Sequence, residues 1–586
     1  MEWDFKLIYK NEEEYEKDLK SIDDDLKIID SLKGKLKELE SFKLFTKTSN
    51  RIDAKIYNLY LYASLNHDLN QKDPISSKRY QVMFSKYMEI IQRLSFVEPE
   101  ILKIDKDRLL KWCTEIDELK PSYFSIQKIF RNNKYVKSAK IEEIMNRYND
   151  VTSGYQQLYD KLCVADSNPI DVVLSDGTKV SVNHANYTNL LLTTKKQEDR
   201  KKIFEAFYNY YESHKNTWSS IYSGIIASEF AETKNRGYKS ILDSKLYRND
   251  INKNVVLNLI SVARNNTKPL RRYYALKKKY FKLKELHTYD RFLKFKESNQ
   301  KYDYESSKKL VLDALSIFGK DFLSKANQAL EDGRVSVYPG DGKTIGAYST
   351  GSYDKGTFIM LNHTDDLNSA FTLAHECGHS IHTLYSNEAQ PFETHEYQIF
   401  VAEVASTFNE ARFLDYLLEK TTNKDERIAL LQEGIDGLIA TFYRQTLFAD
   451  FELEAHKIYE KGGVITEEEL SNIMSSLYKK YYGIDLATEP LKRFVWAYIP
   501  HLYHSPFYVY QYATSYSASL AIYENVKNCV PNAFNNYIEM LKAGGSDYPI
   551  NIIKKAGCDL TTKEPFYAVI KRLDNLLDLL EKELNS

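Results

Sequence analysis

The stretch SAFTLAHECGHSIHTLY, residues 369–385, places His375, Glu376 and His379 within five positions. On a helix, residues i and i+4 share a face, so two imidazoles at this spacing can converge on one metal ion. Glu376 then stands beside them, placed to take a proton from a water at that ion. The chemistry this pattern supports is metal-assisted hydrolysis. Leu373 and Ala374 before the motif, and Ile381 and Leu384 after it, predict a buried helix, where unpaired histidines would be costly. Eight of the 12 histidines lie between His363 and His504.

A catalytic zinc takes three protein ligands and keeps one position open. His382 continues the same face, but seven residues of helix separate it from His375 by about 10 Å, too far for a shared ion. The segment IFVAEVASTFNEARFLDYLL has one apolar face, formed by Phe400, Val401, Val404, Phe408 and Ala411, and another carrying Glu403, Ser406, Thr407 and Glu410. A solvated stripe explains the second face. So does a ligand at Glu403 with Glu410 as the outer carboxylate that orients a ligand. Gly342-Lys343-Thr344 resembles the end of a phosphate-binding loop, but Val337 stands where that loop needs glycine and no helix follows.

The elements around these residues read as mostly helical. Only 21 glycines and 13 prolines interrupt 586 residues, about half the usual share. Apolar residues recur at three- and four-residue steps through the first 165 positions. IDVVLSDGTKVSVN, around Asp176-Gly177, predicts a hairpin. A second strand zone covers 334–361, with GRVSVY, IGAYST and GTFIML separated by glycine-rich turns, and helices resume from 365. Two divisions are expected: an N-terminal helical lobe, 1–185, ending in the hairpin, and a catalytic region, 186–586.

Lysine plus arginine (81) nearly balances aspartate plus glutamate (82), so no electrostatic footprint calls for nucleic acid or an anionic membrane. There is no signal-like N-terminus and no apolar run of spanning length. Five scattered cysteines predict free thiols in a reducing compartment. Together these predict a cytoplasmic protein.

Five ordered blocks carry a family resemblance: GAYSTGSYDKGTFIMLN (346–362), TLAHECGHSIH (372–382), FVAEVASTFNEARF (400–413), IPHLYHSPFYVYQYATSYSA (499–518) and LKAGGSDYPINIIKKAGCDL (541–560). With FAETKNRGYKSILDS upstream (230–244), the sequence resembles the M3 family of zinc metallopeptidases, in its oligoendopeptidase F branch. The resemblance implies a mainly α, bilobed fold with a small β-sheet lining a deep substrate channel. It implies one zinc ion per chain, held by His375, His379 and Glu403, with Glu376 as base, and internal cleavage of oligopeptides. Cys377 stands where the family more often has an apolar residue. It points away from the ligand face, and its thiol is an expected point of sensitivity to thiol reagents.

Acyl hydrolysis also needs donors for the charge that develops on the carbonyl oxygen. In His501–Tyr512, Ser505-Pro506 reads as a helix start, which places Tyr508 and Tyr512 on one face and Tyr510 nearly opposite. An aromatic helix is commonly core. The resemblance instead implies a histidine matching His501 and tyrosine donors, with Tyr510 expected as the main one and Tyr508 assisting. Gly346 and Tyr348 fall where the family has a sheet edge to which an extended peptide adds; turn and packing roles account for them equally. The rival expectations are a dipeptidyl carboxypeptidase-like activity at the same site and a peptide-binding protein with a vestigial metal site.

Overall fold

The computed structural model describes residues 2–586. The chain is mainly helical, with five short strands in two small sheets among the described residues. Two compact units are discontinuous in sequence: one comprises Met1–Lys134, Asn299–Glu419 and Ile522–Cys558, the other Tyr135–Ser298, Lys420–Ala521 and Asp559–Ser586.

The first unit is organised by a three-stranded sheet. With β1 (Ile170–Val173) and β2 (Lys179–Val182) forming the hairpin of the other unit, this sheet consists of β3 (Val335–Ser336), β4 (Tyr348–Ser352) and β5 (Gly356–Met360) in the order β3-β5-β4. β5 is central, parallel to β3 and antiparallel to β4, and its residues Phe358, Ile359 and Met360 are fully buried. Phe358 and Met360 join a core with Trp3, Tyr15, Ile52 and Leu59 from the N-terminal helices. The Trp3 indole N–H donates to the Ile359 carbonyl at 3.0 Å, and Ser352 Oγ donates to Asn58 Oδ1 at 2.6 Å. The helix Leu39–Leu69 packs on β4, with Glu12–Ser31 and Pro74–Leu94 against it in turn, and the sheet supports the helix Leu367–Ala389.

That helix, Leu367–Ala389, starts where Asp366 accepts from the Ser369 N–H at 2.8 Å, an N-cap that satisfies an otherwise orphan donor. It ends before Pro391, which cannot continue a helix. The next helix, Ile399–Lys420, crosses it at Gly378. A Cβ there would stand 2.6 Å from both the Ala405 carbonyl oxygen and the Ser406 Cα, so only glycine permits this approach.

The second unit is helical apart from the β1–β2 hairpin, whose turn uses Gly177 at φ +87°, a left-handed conformation open to glycine. Its interior holds ion pairs that are bonded on all sides: Arg200 meets Asp290 at 2.7 Å and also donates to the Thr194 and Lys195 carbonyls. Glu489, also buried, accepts from the Thr288 N–H and hydroxyl and from His287. Buried charge survives here because each group has partners.

Candidate metal centre

His375, His379 and Glu403 are the group of His, Cys, Asp or Glu side chains, among the described residues, arranged so that they could hold a metal ion. His375 Nε2 and His379 Nε2 are 3.1 Å apart, and Glu403 Oε2 lies 3.4 Å from the first and 3.7 Å from the second. Two ligand bonds of about 2.0–2.1 Å meeting near the tetrahedral angle hold their donor atoms about 3.3 Å apart, so this triangle fits a zinc-sized ion.

The surroundings set which nitrogen faces that point. Glu410 takes the Nδ1 side of His375, and the Ala402 carbonyl accepts from His379. Both Nε2 lone pairs therefore converge on the same place, where a cation, or a proton between them, relieves their repulsion. Ser406 Oγ donates to Glu403 Oε2 at 3.1 Å and holds that carboxylate on its helix.

The electrostatics follow from crowding in a buried place. Burial opposes charge on His375, but the Glu410 carboxylate outweighs it and, with Glu376 and Glu403, carries the imidazole pKa up to about 9. Burial depresses His379 well below the usual imidazole range, and the neighbouring His375 adds to this. Glu376 is 5% exposed, and burial, reinforced by Glu403 and Glu410, raises its pKa to about 7. The Ser349 N–H of β4 bonds to Glu376, while its Oε2 is buried with no hydrogen-bond partner among the described residues. An orphaned carboxylate oxygen beside convergent imidazoles is suited to taking a proton from a water.

Other candidates are placed as follows. His382 is fully buried, stacked on Tyr397 at 3.5 Å, and burial lowers its pKa to about 3; it packs and does not reach the triangle. Cys377 is also fully buried, and burial pushes its thiol pKa up to about 12. The expected sensitivity to thiol reagents is therefore corrected: neither access nor thiolate is available there. Gly346 turns into β4 at φ +89°, its carbonyl accepting from Asn362. Tyr348 donates its hydroxyl to Asp68 at 2.6 Å, and β4 lies at the sheet edge.

His501 and the tyrosines belong to the other unit and form their own cluster. The Tyr512 hydroxyl is 3.3 Å from His501 Nε2, the Tyr508 ring lies parallel to the imidazole, and Tyr508 meets Tyr512 edge-on. Tyr510 is 2% exposed. The helix does not start at Ser505-Pro506. Phe507 adopts a left-handed φ of +58°, its N–H donates to buried Glu452, and helix begins at Tyr510. Tyr397 and Ser349 were not singled out by the sequence reading. Tyr397 holds Thr383 Oγ1 (2.9 Å) and the His379 carbonyl (3.3 Å), and Ser349 Oγ lies 2.8 Å from Ser380 Oγ on the metal-binding helix. No spacing rule marks a single strand serine or loop tyrosine.

A mainly helical fold bearing His-Glu-x-x-His on one buried helix and a carboxylate on the next defines a helical metallopeptidase. Residues 190–572 match the model of peptidase family M3, and 100–168 that of Oligopeptidase F. The chain is 33% identical to the Bacillus subtilis oligopeptidase PepF, over 99% of this chain and 87% of that protein. A crystal structure from Chlamydophila abortus, described as a peptidase, superposes with TM-score 0.90 at 30% identity, covering 99% and 98% of the two chains. Oligoendopeptidase F from Enterococcus faecium gives TM-score 0.74 at 28% identity, covering 97% and 98%. The chain belongs to peptidase family M3, in its oligoendopeptidase F branch. Among the described residues, no helix is long and apolar enough to cross a membrane.

Two outcomes follow from the geometry. Gly378→Ala should fold but separate the helices, lowering zinc affinity by on the order of tenfold or more; competition with a chromophoric chelator, beside circular dichroism, measures this, and unchanged affinity removes the helix contact from the argument. A proton held at His375 competes with the metal, so apparent zinc affinity should rise by about tenfold per pH unit up to about pH 9 and then level. A flat profile between pH 7 and 9 would show that no such proton is displaced.

Proposed function

We propose that the chain is a zinc-dependent endopeptidase that cleaves internal bonds of short peptides. The observation that carries this reading is the triangle of donor atoms, 3.1–3.7 Å on its sides, beside the unpaired Glu376 Oε2. Imidazole and carboxylate donors in tetrahedral spacing favour zinc. Zinc, when bound, supplies Lewis acidity, polarising the scissile carbonyl and acidifying water.

The protein's own groups do the rest. His375 and His379 present their Nε2 atoms, Glu403 its Oε2, and Glu410 holds the His375 ring. Glu376 accepts the proton of the attacking water at Oε2 and passes it to the leaving amine. The edge of β4, at Gly346 and Tyr348, receives the extended peptide backbone, which gives loose side-chain specificity. His501 donates to the developing oxyanion, a role drawn from the family resemblance. As its tyrosine partners, Tyr512, 3.3 Å from the ring, and Tyr508, parallel to it, are placed ahead of Tyr510, which is buried.

Glu376→Gln should keep its zinc and lose nearly all turnover. Metal content and cleavage of an internally quenched peptide, measured on the same sample, test this; a zinc-loaded variant of normal activity would take Glu376 out of the mechanism. Peptides of roughly five to twenty residues should be cut internally while folded proteins survive. Mass spectra showing only C-terminal dipeptides would make the enzyme a dipeptidyl carboxypeptidase instead. Tyr512→Phe should lower kcat by on the order of a hundredfold with little effect on KM, and Tyr510→Phe should not. The opposite ranking would return the donor role to Tyr510.

A further inference from the structure

The first unit contains a cavity of about 710 Å³ outside the metal triangle. It lies between the helices Leu39–Leu69 and Pro74–Leu94 on one side and the segment 392–396, which follows the metal-binding helix, on the other. Eight phenylalanine and tyrosine side chains line it, together with three carboxylates, Asp53, Glu393 and Glu396, and no lysine or arginine. Glu393 accepts from Asn50. Asp53 and Glu396 have no basic partner among the described residues, and Glu396 is near enough to act on both Asp53 and the Tyr57 hydroxyl.

This composition selects a ligand class. Aromatic walls cannot replace the oxygen shell that a hydrated dication needs, and the volume far exceeds that of an ion. Faces of tyrosine and phenylalanine together with carboxylates that lack a counter-charge suit an organic cation, above all a planar guanidinium that can stack and pair at once. The cavity is also firmly built. The Gly545 N–H donates to the Thr394 carbonyl at 2.7 Å, and a Cβ at Gly545 would stand 2.2 Å from the Glu396 carbonyl oxygen, so only glycine lets this wall settle where it does. The wall leads straight to the metal-binding helix, since Tyr397, next to Glu396, bonds Thr383 and the His379 carbonyl.

We propose that this cavity is a subsite for a basic side chain, arginine foremost, of a peptide held at the metal centre. That the cation arrives on a peptide rests on the peptidase reading; the cavity's preference for an organic cation does not. Burial, with Glu396 adding to it, raises the Asp53 pKa to about 6, the state of a carboxylate lacking its counter-charge. A bound guanidinium supplies that charge.

The test uses zinc-loaded, full-length Glu376→Gln protein and a capped, otherwise uncharged hexapeptide with arginine placed in turn at each position. The same peptides with citrulline, the neutral isostere, serve as reference, and binding is read by calorimetry. At one position arginine should bind about tenfold tighter than citrulline. That ratio should fall towards one in the Asp53→Asn/Glu396→Gln variant, and in Glu396→Gln alone should the double variant fail to fold. Equal affinity for both peptides at every position overturns the proposal, as does a ratio that survives loss of the carboxylates. Cleavage of the uncharged parent peptide by the wild-type chain reports separately on the peptidase reading, so failure of one is distinguishable from failure of the other.

Discussion

Between Cys377 and His379 the chain carries only a hydrogen, and there two helices meet with a backbone carbonyl where a Cβ would otherwise be. Everything at the centre depends on that distance. The two histidines sit on one helix and Glu403 on the other, so the width of the crossing is the width of the donor triangle. Asn409, one turn further, donates to the Ala374 carbonyl and ties the pair again. Packing on this scale is stiff, and a methyl group's worth of separation cannot be absorbed by the ligands without losing their common focus.

The same closeness creates an electrostatic problem. Three carboxylates and two imidazoles share a half-buried space, and like charges there raise the cost of each further ionisation. The chain distributes that cost unevenly: Glu410 is turned to His375, Glu403 has a serine hydroxyl, and Glu376 keeps one oxygen bonded to a strand N–H and the other free. A dication is the one addition that lowers the energy of all of them together. Protons serve as partial substitutes: the neighbouring carboxylates raise the His375 pKa, and burial, with Glu403 and Glu410 adding to it, raises that of Glu376.

The metal-binding stretch was readable because its information is local. A helix has one geometry, so His375 and His379 at four-residue spacing must share a face whatever surrounds them. Dividing its helix into faces left Glu403 open between a solvated stripe and a ligand, and the family resemblance chose the ligand. The β1–β2 hairpin announced itself through alternation around Asp176-Gly177. The helix boundary near Ser505-Pro506 was misplaced because Phe507 gives its N–H to buried Glu452 and takes a left-handed turn that no local propensity favours, so the helix starts only at Tyr510. Asp53 and Glu396 are 343 positions apart, and each reads as an ordinary solvent-facing acid in its own helix or loop. Only the fold makes them neighbours. Nothing in the sequence marks Gly378, whose use is visible only when the partner backbone is beside it.

The core that joins Trp3 and the first helices to Phe358 and Met360 also governs how the chain is made. Residues of the first unit leave the ribosome in three instalments, the last beginning at Ile522. At usual elongation rates, about 20–80 s pass between the emergence of residue 134 and that of residue 522. For the first part of it, about 10–45 s until residue 360 emerges, the helix Leu39–Leu69 presents an apolar face whose strands are not yet synthesised. The nascent chain is thus a natural client for chaperones that shield exposed apolar helices, and a pause in translation ahead of the strand region would prolong that exposure. The helix Ala533–Lys542, which packs on the helix Leu367–Ala389, is among the last parts to appear, so the donor triangle gains that support late in the same schedule.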